Sequence, residues 1–561
     1  MLTRRDFMQV AAAAAVLTSG APLARAAARQ SITQNDLLDF KPVGQVTILN
    51  FTDIHAQLVP LYFREPSVNL GVGDARGKVP HLTGKDFLKA YGLKAGSPEA
   101  YALSFQDFAA LSKTYGRVGG LDRMATLVKA IRAQRPGNTL LVDCGDTWQG
   151  SYTALQSRGE DMVEAMNALG VDVMVPHWEF TYGEARVKEL VAKLKFPFLA
   201  QNVKDTEWEE DVFPHTAFFE RGGVKVAVVG QAFPYTPVAN PRYMMPHWSF
   251  GIRDEEMQKR VDSARAQGAQ LVVVASHNGF DVDRKMASRV KGIDVLLTGH
   301  THDAIPALVK VGDTLLVASG SHGKFLARLD VEVKGGKVVK HAFRLMPIFA
   351  DVIAPDADMA ALIDKIRAPH QAVLQKKLAR TDSLLYRRGN FNGTFDDLIC
   401  QALLDERDAE ISLSPGFRWG SSLPPGSDIT MEDVYNQTAI TYPSAYRSQM
   451  SGQLIKDILE DVADNLFNPD PYYQQGGDMV RVGGLSYRID IAKPIGSRIS
   501  DLTLIRSAAK LEAGKTYTVS GWASVNEGTE GPPVWDVVAS WLEKHQTVRF
   551  DGGNSVKVVG G

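Results

Sequence analysis

Seven residues that can bind a metal ion follow short apolar runs at five places in the chain. They are Asp53 and His55, Asp146, His177, His277, and His300 with His302. An isolated aspartate at a strand end usually forms a turn, and an isolated histidine is usually a hydrogen-bonded surface or core residue. The Asp-x-His and His-x-His spacings are more informative, because alternate residues of an extended segment lie on one side and can bind one ion. We therefore predict a metal site with imidazole and carboxylate ligands.

The segments before these residues are β-branched apolar runs, which are typical of buried strands. We predict strands at 46–51, 139–142, 171–175, 224–229, 271–274 and 293–297, with helices such as 121–134 and 254–267 between them. This alternation predicts an α/β domain whose helices cover the outer faces of a sheet. Because such a sheet binds ligands beyond the carboxyl ends of its strands, we expect the seven side chains to meet at one edge of one sheet.

The length of the chain predicts two domains, since single cores stop growing near ~250 to 300 residues and this chain has 561. We predict a catalytic domain over 27–355, with a long insertion at about 57–115 after the first strand. A charged linker helix over 356–380 leads into an α+β domain over 381–561. Loops that follow the ends of strands often carry function, so we expect this insertion to contribute to the function of the domain.

The N-terminus has the pattern of a targeting signal. The segment Thr3-Arg4-Arg5-Asp6-Phe7-Met8 reads as a twin-arginine sequence, and the apolar stretch after it is too short to span a bilayer. Ala24-Arg25-Ala26 fits a small-residue cleavage site. We predict a signal peptide over 1–26, export by the twin-arginine pathway and a periplasmic product that is not in the membrane after export.

Composition narrows the range of partners. The net charge of −2 offers no electrostatic basis for binding nucleic acid or an anionic membrane, so an anion must be met by a local site. The two cysteines, Cys144 and Cys400, lie far apart, which makes a disulfide framework unexpected.

The ligand motifs resemble those of the calcineurin-like metallophosphoesterases, in particular the 5′-nucleotidase branch. The resemblance rests on Asp53-Ile54-His55, Gly145-Asp146, Ser276-His277-Asn278-Gly279 and Gly299-His300-Thr301-His302, and in the later half on Phe417–Pro424 and Val482–Leu485. It implies an N-terminal four-layer α/β/β/α metallophosphoesterase domain and a C-terminal α+β 5′-nucleotidase-like substrate domain.

The resemblance also implies how two metal ions share the ligands. The first ion would take Asp53, His55, Asp146 and His302, and the second Asp146, His177, His277 and His300, with Asp146 as the bridge. Such a pair lowers the pKa of a shared water, holds an oxyanion and stabilises the charge that develops during in-line attack. Ligands of this type allow manganese, zinc, iron or cobalt.

The chain departs from the nucleotidase pattern at three places. At the first place, where the nucleotidases have Gly-Asn-His-Glu, this chain has Pro176-His177-Trp178-Glu179. Histidine can replace the asparagine as a metal ligand. Tryptophan, however, cannot pass a proton to a leaving group as histidine does. The two elements that clamp a nucleoside appear as Thr441–Ser444 and Gly528–Pro533, so base stacking is not expected. Arg418 matches the arginine that grips the substrate anion, and its planar fork suits a sulfonate or a phosphate.

With these departures, the twin-arginine signal and the long insertion, the chain resembles the SoxB-type thiosulfohydrolases of the bacterial sulfur-oxidation (Sox) system. The resemblance implies two Mn²⁺ ions and a small sulfur-carrier protein with a cysteine on a flexible arm. A metal-bound hydroxide would attack the sulfonate sulfur of the cysteine-bound thiosulfonate and release sulfate. Arg418 would bind the anion, and Trp178 would pack against the arm.

Two other functions are compatible with the same residues. One is an exported 5′-nucleotidase or phosphodiesterase with altered specificity, which would release phosphate from AMP. The other is a non-catalytic metal-binding scaffold of the sulfur-oxidising complex, which would bind the carrier tightly and release no sulfate.

Overall fold

The computed structural model describes residues 32–553 and 555–560, so the predicted signal peptide over 1–26 lies outside the described residues. The strands of the first domain are β1 Val46–Phe51, β2 Thr139–Asp143, β3 Val173–Met174, β4 Lys204–Asp205, β5 Thr216–Arg221, β6 Val224–Gln231, β7 Trp248–Ser249, β8 Leu271–Ser276, β9 Val295–Thr298, β10 Val309–Val311, β11 Thr314–Ala318, β12 Phe325–Lys334 and β13 Lys337–Pro347. Its helices are α1 Gln34–Leu38, α2 Gly84–Ala90, α3 Pro98–Leu103, α4 Phe108–Tyr115, α5 Leu121–Gln134, α6 Tyr152–Ser157, α7 Glu160–Leu169, α8 Glu184–Val191, α9 Thr236–Ala239, α10 Asp254–Ala266 and α11 Phe280–Arg289.

The first domain contains two stacked β-sheets. One has the order β13-β12-β1-β2-β3 and the other the order β10-β11-β9-β8-β6-β5. Strands β1, β2 and β3 are parallel, as are β6, β8, β9 and β11, so in each sheet the carboxyl ends of these strands reach the same edge. The expectation of one sheet was therefore wrong: the first three predicted strands belong to one sheet and the last three to the other, which a strand pattern alone does not reveal.

Three apolar cores hold the layers together. Valines and leucines of both sheets, such as Val142 and Val273, pack face to face in the middle. The outer face of the five-stranded sheet packs on α5 and α7, and that of the six-stranded sheet packs on α10 and α11. This arrangement confirms the predicted four-layer α/β/β/α domain, in which both faces of each sheet are buried.

The insertion after β1 is ordered and packs against the first domain. Its helices are α2, α3 and α4, and its rings Phe63, Phe87 and Tyr101 extend the core between the sheets. Lys324 of the first domain donates to the carbonyl oxygen of Phe63 and to the carboxylate of Glu65, at 3.1 and 2.7 Å. The insertion is thereby fixed beside the strand ends that carry the predicted ligands.

The second domain is the α+β unit that was predicted. It follows the helices α12 Ala357–Arg367 and α13 Gln371–Leu374, the first of which packs on α5 and α7. Its helices are α14 Thr394–Glu406, α15 Met431–Thr438, α16 Gly452–Phe467 and α17 Val534–His545. Its strands are β14 Lys377–Thr381, β15 Ile411–Ser414, β16 Asp428–Thr430, β17 Tyr446–Ser451, β18 Arg481–Gly483, β19 Leu485–Ile489, β20 Ile499–Leu504, β21 Thr516–Gly521, β22 Thr547–Val548 and β23 Val556–Val558.

No helix formed by the described residues is both long and apolar enough to cross a membrane.

Candidate metal centre

The seven predicted ligands lie together between the two domains, where the strand ends of both sheets meet. They form two groups that share one carboxylate: Asp53, His55, Asp146 and His302 in the first, and Asp146, His177, His277 and His300 in the second. Within each group the candidate ligand atoms all lie within 4.8 Å of one another. All seven residues are buried. The geometry matches the two sets and the bridging position of Asp146 that the family resemblance implies.

The backbone turns sharply at most of these residues. Five of the seven have a positive φ, between 49° and 74°: Asp53, His55, Asp146, His300 and His302. Aspartate and histidine adopt this region more often than most residues, and such conformations cluster at functional sites. These turns lie just after the ends of β1, β2 and β9.

Asp146 contacts histidines of both groups. Its carboxylate oxygens lie 3.0 Å from Nδ1 of His177, 3.1 Å from Nε2 of His277 and 3.5 Å from Nε2 of His55. In the first group Asp53 lies 3.2 Å from Nε2 of His302. One carboxylate between two sets of imidazoles is the arrangement that a bridging ligand requires.

The charges of the site suit bound cations. Burial lowers the pKa of His177 to about 4 and holds the pKa of His300 and of His302 well below the usual value, so these rings stay neutral, the form that binds metal. Burial also lowers the pKa of His277, but Asp146 and Asp53 outweigh it and raise this pKa to about 10. Although burial disfavours its charge, the surrounding histidines hold the pKa of Asp146 well below the usual value.

The residues fit a pair of metal ions. Nε2 of His55 and Nε2 of His302 face each other at 3.1 Å, beside the carboxylate of Asp53. Among the described residues, the buried Nε2 atom of His177 has no hydrogen-bond partner. Lone pairs that converge in this way are stabilised by a cation rather than by one another.

Surrounding groups fix the ligands in place. The Trp178 amide donates to Asp146 at 2.9 Å. The carboxylate of Glu179 accepts from the amides of Thr147 and His177, at 2.6 and 2.7 Å. Nδ1 of His277 donates to the carbonyl oxygen of Cys144, which fixes the tautomer of the ring. Burial raises the pKa of the Cys144 thiol well above its usual value, so this cysteine is a packing residue under the site.

A pocket of about 240 Å³ opens over the two groups and is walled by aromatic rings. Trp178 contacts Phe417 and Trp419 edge to face, with ring centroids 5.4 and 5.1 Å apart, and is 5% exposed. Phe417 and Trp419 stack on each other at 4.0 Å. The structure therefore places Trp178 in the pocket wall, where its ring packs on Phe417 and Trp419 and also lines the pocket.

Two arginines of the second domain lie beside the ligands. Arg418 and Arg388 each donate to the carbonyl oxygen of Thr301, between the ligands His300 and His302, at 3.2 and 2.8 Å. Nε of Arg418 lies 3.4 Å from Asp478. Arg418 lines the pocket over the two ligand groups, whereas Arg388 lies against Asp303 and Asp478 and is 3% exposed. Arg418 lies in a motif that predicts it, whereas Arg388 has no signal in the sequence beyond the arginine pair at 387–388.

His322 is a second residue beside the ligands that no sequence motif predicts. It is buried, its amide donates to the carbonyl oxygen of Asp53 at 2.8 Å, and its Nε2 accepts from the amide of Gly420 at 3.2 Å. It follows β11 as the ligands follow their strands, and that position was the available signal. Because Gly420 lies two residues after Arg418, His322 connects the loop that carries Arg418 to the first domain.

Tyr442 does not form a platform for a base. Its ring is packed in the core of the second domain, and its hydroxyl donates to the carbonyl oxygen of Ala239. The nucleoside clamp that the 5′-nucleotidase pattern would place here is absent from this part of the described chain.

Comparisons with known proteins connect this site to a family. The family model for the 5′-nucleotidase C-terminal domain matches residues 377–539. The 5′-nucleotidase of Bos taurus is 25% identical over 500 residues, which cover 79% of this chain and 82% of that protein. The snake venom 5′-nucleotidase of Gloydius brevicauda is 25% identical over 493 residues, covering 77% and 81%.

Two solved structures from Thermus thermophilus share the fold. A 5′-nucleotidase precursor superposes with a TM-score of 0.73 at 21% identity, covering 92% of this chain and all of that one. The sulfate thiohydrolase SoxB, solved with glycerol, superposes with a TM-score of 0.90 at 36% identity, covering 93% of this chain and 98% of that one. Since the identity extends over nearly both full lengths and the two ligand groups are in place, the chain is a dimetal hydrolase of the calcineurin-like metallophosphoesterases and belongs to the SoxB-type family within the 5′-nucleotidase branch.

Proposed function

We propose that this chain is a thiosulfohydrolase that releases sulfate from a cysteine-bound thiosulfonate on a small carrier protein. In this proposal the chain is exported to the periplasm by the twin-arginine pathway and holds two Mn²⁺ ions. The name of the similar protein from Thermus thermophilus, a sulfate thiohydrolase, supports the reaction class. The twin-arginine pattern at Arg4-Arg5 supports the compartment. The imidazole and carboxylate donors, with no thiolate among them, are compatible with manganese.

The observation that carries the proposal is Trp178 in the wall of the pocket. The position next to a metal ligand holds an indole, which has no proton to give at neutral pH and no lone pair to accept one. An alkoxide leaving group from a nucleotide would need such a proton, whereas a persulfide anion is stable without one. The site therefore favours a sulfur leaving group.

The reaction balances without any further reactant. The oxygen of water adds to the sulfonate sulfur, the bond between this sulfur and the adjacent sulfur that is attached to the cysteine sulfur breaks, and its electron pair leaves with the persulfide of the carrier cysteine. Sulfate departs, and the protons of the water pass to solvent. Two bound divalent cations would supply a deprotonated water at neutral pH and hold the sulfonate oxygens.

The residues of this chain would orient and enclose the substrate. Arg418 lines the pocket and offers planar donors to the sulfonate oxygens, and its contact with the carbonyl oxygen of Thr301, which Arg388 shares, holds it beside the ligand loop. The rings of Trp178, Phe417 and Trp419 form an apolar wall suited to the stem of a peptide arm. The same wall excludes water from the leaving sulfur.

A 5′-nucleotidase is the second candidate, and the domain match over residues 377–539 favours it. The packed position of Tyr442 and the indole at Trp178 oppose it. Both functions use the same metal ions, so metal binding does not distinguish them.

The two functions are separated by a direct assay. The manganese-loaded protein is mixed either with a short synthetic peptide whose single cysteine carries a thiosulfonate or with AMP. We expect sulfate from the peptide, phosphate from AMP only at a far lower rate, and loss of about tenfold in sulfate release for Arg418→Lys, which keeps the charge but not the fork. Efficient release of phosphate with no sulfate would establish the nucleotidase. Tight binding of the peptide without either product would establish a scaffold.

A further inference from the structure

A loop of the second domain reaches across the domain boundary and contacts a predicted metal ligand. The loop joins α16 to β18 and spans residues 468–478. The carbonyl oxygen of Gln475 lies 3.2 Å from Nε2 of His300. A carbonyl oxygen can only accept, so Nε2 of His300 carries the proton and donates it.

This hydrogen bond fixes which nitrogen of His300 is available to a metal ion. With Nε2 protonated, Nδ1 keeps the lone pair in the neutral ring. The corresponding partner of His277 is the carbonyl oxygen of Cys144 in its own domain. The partner of His300 comes from the other domain.

Gly476 allows the loop to approach the ring. Its φ is 73°, and a Cβ atom at this position would overlap Nε2 of His300. The neighbouring Gly477 has the same backbone conformation, with φ 74°, but a Cβ atom there would meet nothing closer than the carbonyl oxygen of Gly416 at 3.6 Å. The two glycines therefore share one conformational requirement and differ in their contact with the ligand.

Other contacts hold the loop on the first domain. The hydroxyl of Tyr235 donates to the carbonyl oxygen of Tyr472, and the hydroxyl of Tyr472 donates to Asp254 at 3.1 Å. Lys285 pairs with Asp470 and lies 4.0 Å above the ring of Tyr472. The contact at His300 is therefore one of several contacts that hold this loop against the first domain.

We propose that the loop over residues 468–478 positions His300 for the second metal ion, so that this ion is bound tightly only while the two domains are closed on each other. Outer partners of ligating histidines orient the ring and raise its affinity for metal. Linkage makes the effect reciprocal, since an ion that favours the attached loop must also stabilise the attachment. The inference rests on the two-metal assignment and not on the sulfur substrate.

The test compares Gly476→Ala with Gly477→Ala in the full-length protein. Titration with Mn²⁺ gives the affinity of each site, and electron paramagnetic resonance distinguishes a coupled pair from a single ion. We expect Gly476→Ala to weaken the second site about 10- to 100-fold and to leave the first site unchanged, with a signal of uncoupled ions. Gly477→Ala and Gln475→Ala, which keeps the carbonyl group, should bind both ions as the wild type does.

Equal weakening in both glycine variants, or wild-type binding in Gly476→Ala, would overturn the proposal. A second measurement needs no variant: amide hydrogen exchange in the wild-type loop 468–478 should slow when the second ion is added after the first. Unchanged exchange would also overturn the proposal. Neither readout uses substrate, so failure here is distinct from failure to release sulfate.

Discussion

At the scale of single residues, Asp146 lies at the point where the two ligand groups join. Its carboxylate contacts His55 of the first group and His177 and His277 of the second. Its oxygens also accept the amide of Trp178. A bridging carboxylate offsets the repulsion between two cations, so neither site should survive its loss.

We expect Asp146→Asn to lower the metal content of both sites and to reduce turnover by about 100-fold or more, because the neutral amide cannot offset two cations. Metal analysis of the purified protein measures the first effect. Asp172→Asn is a suitable control, since that carboxylate pairs with Arg132 and Arg221 away from the site. Retention of one ion with near-normal turnover would contradict the bridging assignment.

Metal loading should release protons. In the absence of metal, Asp146 and Asp53 outweigh burial and raise the pKa of His277 to about 10, so this ring is protonated at neutral pH. A metal ion needs the neutral ring, so binding must expel the proton, and affinity should rise as pH increases toward that pKa. Calorimetric titration with Mn²⁺ in buffers of different ionisation enthalpy counts the protons. A count of zero at pH 7 would show that the metal-free ring is already neutral.

Trp178→His restores the residue that the nucleotidase pattern has at this position. We expect slower sulfate release from a thiosulfonate-bearing carrier, because the aromatic wall with Phe417 and Trp419 is broken. Phosphatase activity on AMP should stay weak, since Tyr442 remains packed in the core and offers no platform for a base. Wild-type turnover of the carrier together with efficient hydrolysis of AMP would refute this reading of specificity.

At the scale of elements, the ends of strands and the loops after them build the site. β1 and the helix 121–134 have the bounds that the sequence predicts, because long periodic patterns define an element locally. The third predicted strand, 171–175, shortens to Val173–Met174. Pro176 lies two residues after the end of this strand and has no amide hydrogen for a further pair.

The candidate metal ligands could be predicted from the sequence, whereas the residues that hold them in place could not. The ligands form short local motifs, such as His300-x-His302, whose chemistry is visible without a fold. The contacts of His322, Arg388 and Gln475 join segments that are distant in sequence, and no local pattern encodes those pairs. The strand pattern does not predict the division of the strands between two sheets for the same reason, since strand pairing also joins segments that are distant in sequence.

The substitution His322→Phe tests the role of the loop after β11. A phenyl ring can keep the stack on Phe63, whose centroid is 4.1 Å away, but it cannot accept from the amide of Gly420. A buried amide without a partner costs about 1 to 3 kcal/mol, and Arg418 should shift with its loop. We expect KM for the thiosulfonate peptide to rise by about tenfold while both metal ions stay bound. Unchanged KM, or loss of metal, would show a different role.

At the scale of the whole molecule, the metal centre lies where the two domains touch. The first domain supplies the seven candidate ligands, and the second supplies Arg388, Arg418 and the loop over His300. The ions, the substrate and the domain arrangement should therefore stabilise one another.

Removal of the metal ions should destabilise the fold as a whole. An ion present at 100 times its dissociation constant adds about 2.7 kcal/mol to the free energy of unfolding, so chelation should lower Tm by several degrees. Differential scanning calorimetry with and without a chelator measures this shift. The Asp146→Asn variant is the control, since it should already lack the ions and show little response. An equal response in both proteins would mean that the chelator acts elsewhere.

The position of β1 in its sheet sets a time before which the site cannot form. β1 pairs with β12, and the side chains of Thr47 and Asp330 that bond across this pair are 283 residues apart. During synthesis at ~5 to 20 residues per second, roughly 15 to 60 seconds separate the two strands. Asp53 and His55 therefore leave the ribosome long before the sheet that holds them can close. Metal capture by the complete ligand set must wait until after translation of the first domain is nearly finished. Until then β1 can pair with β2 on one side, but its other edge has no partner strand.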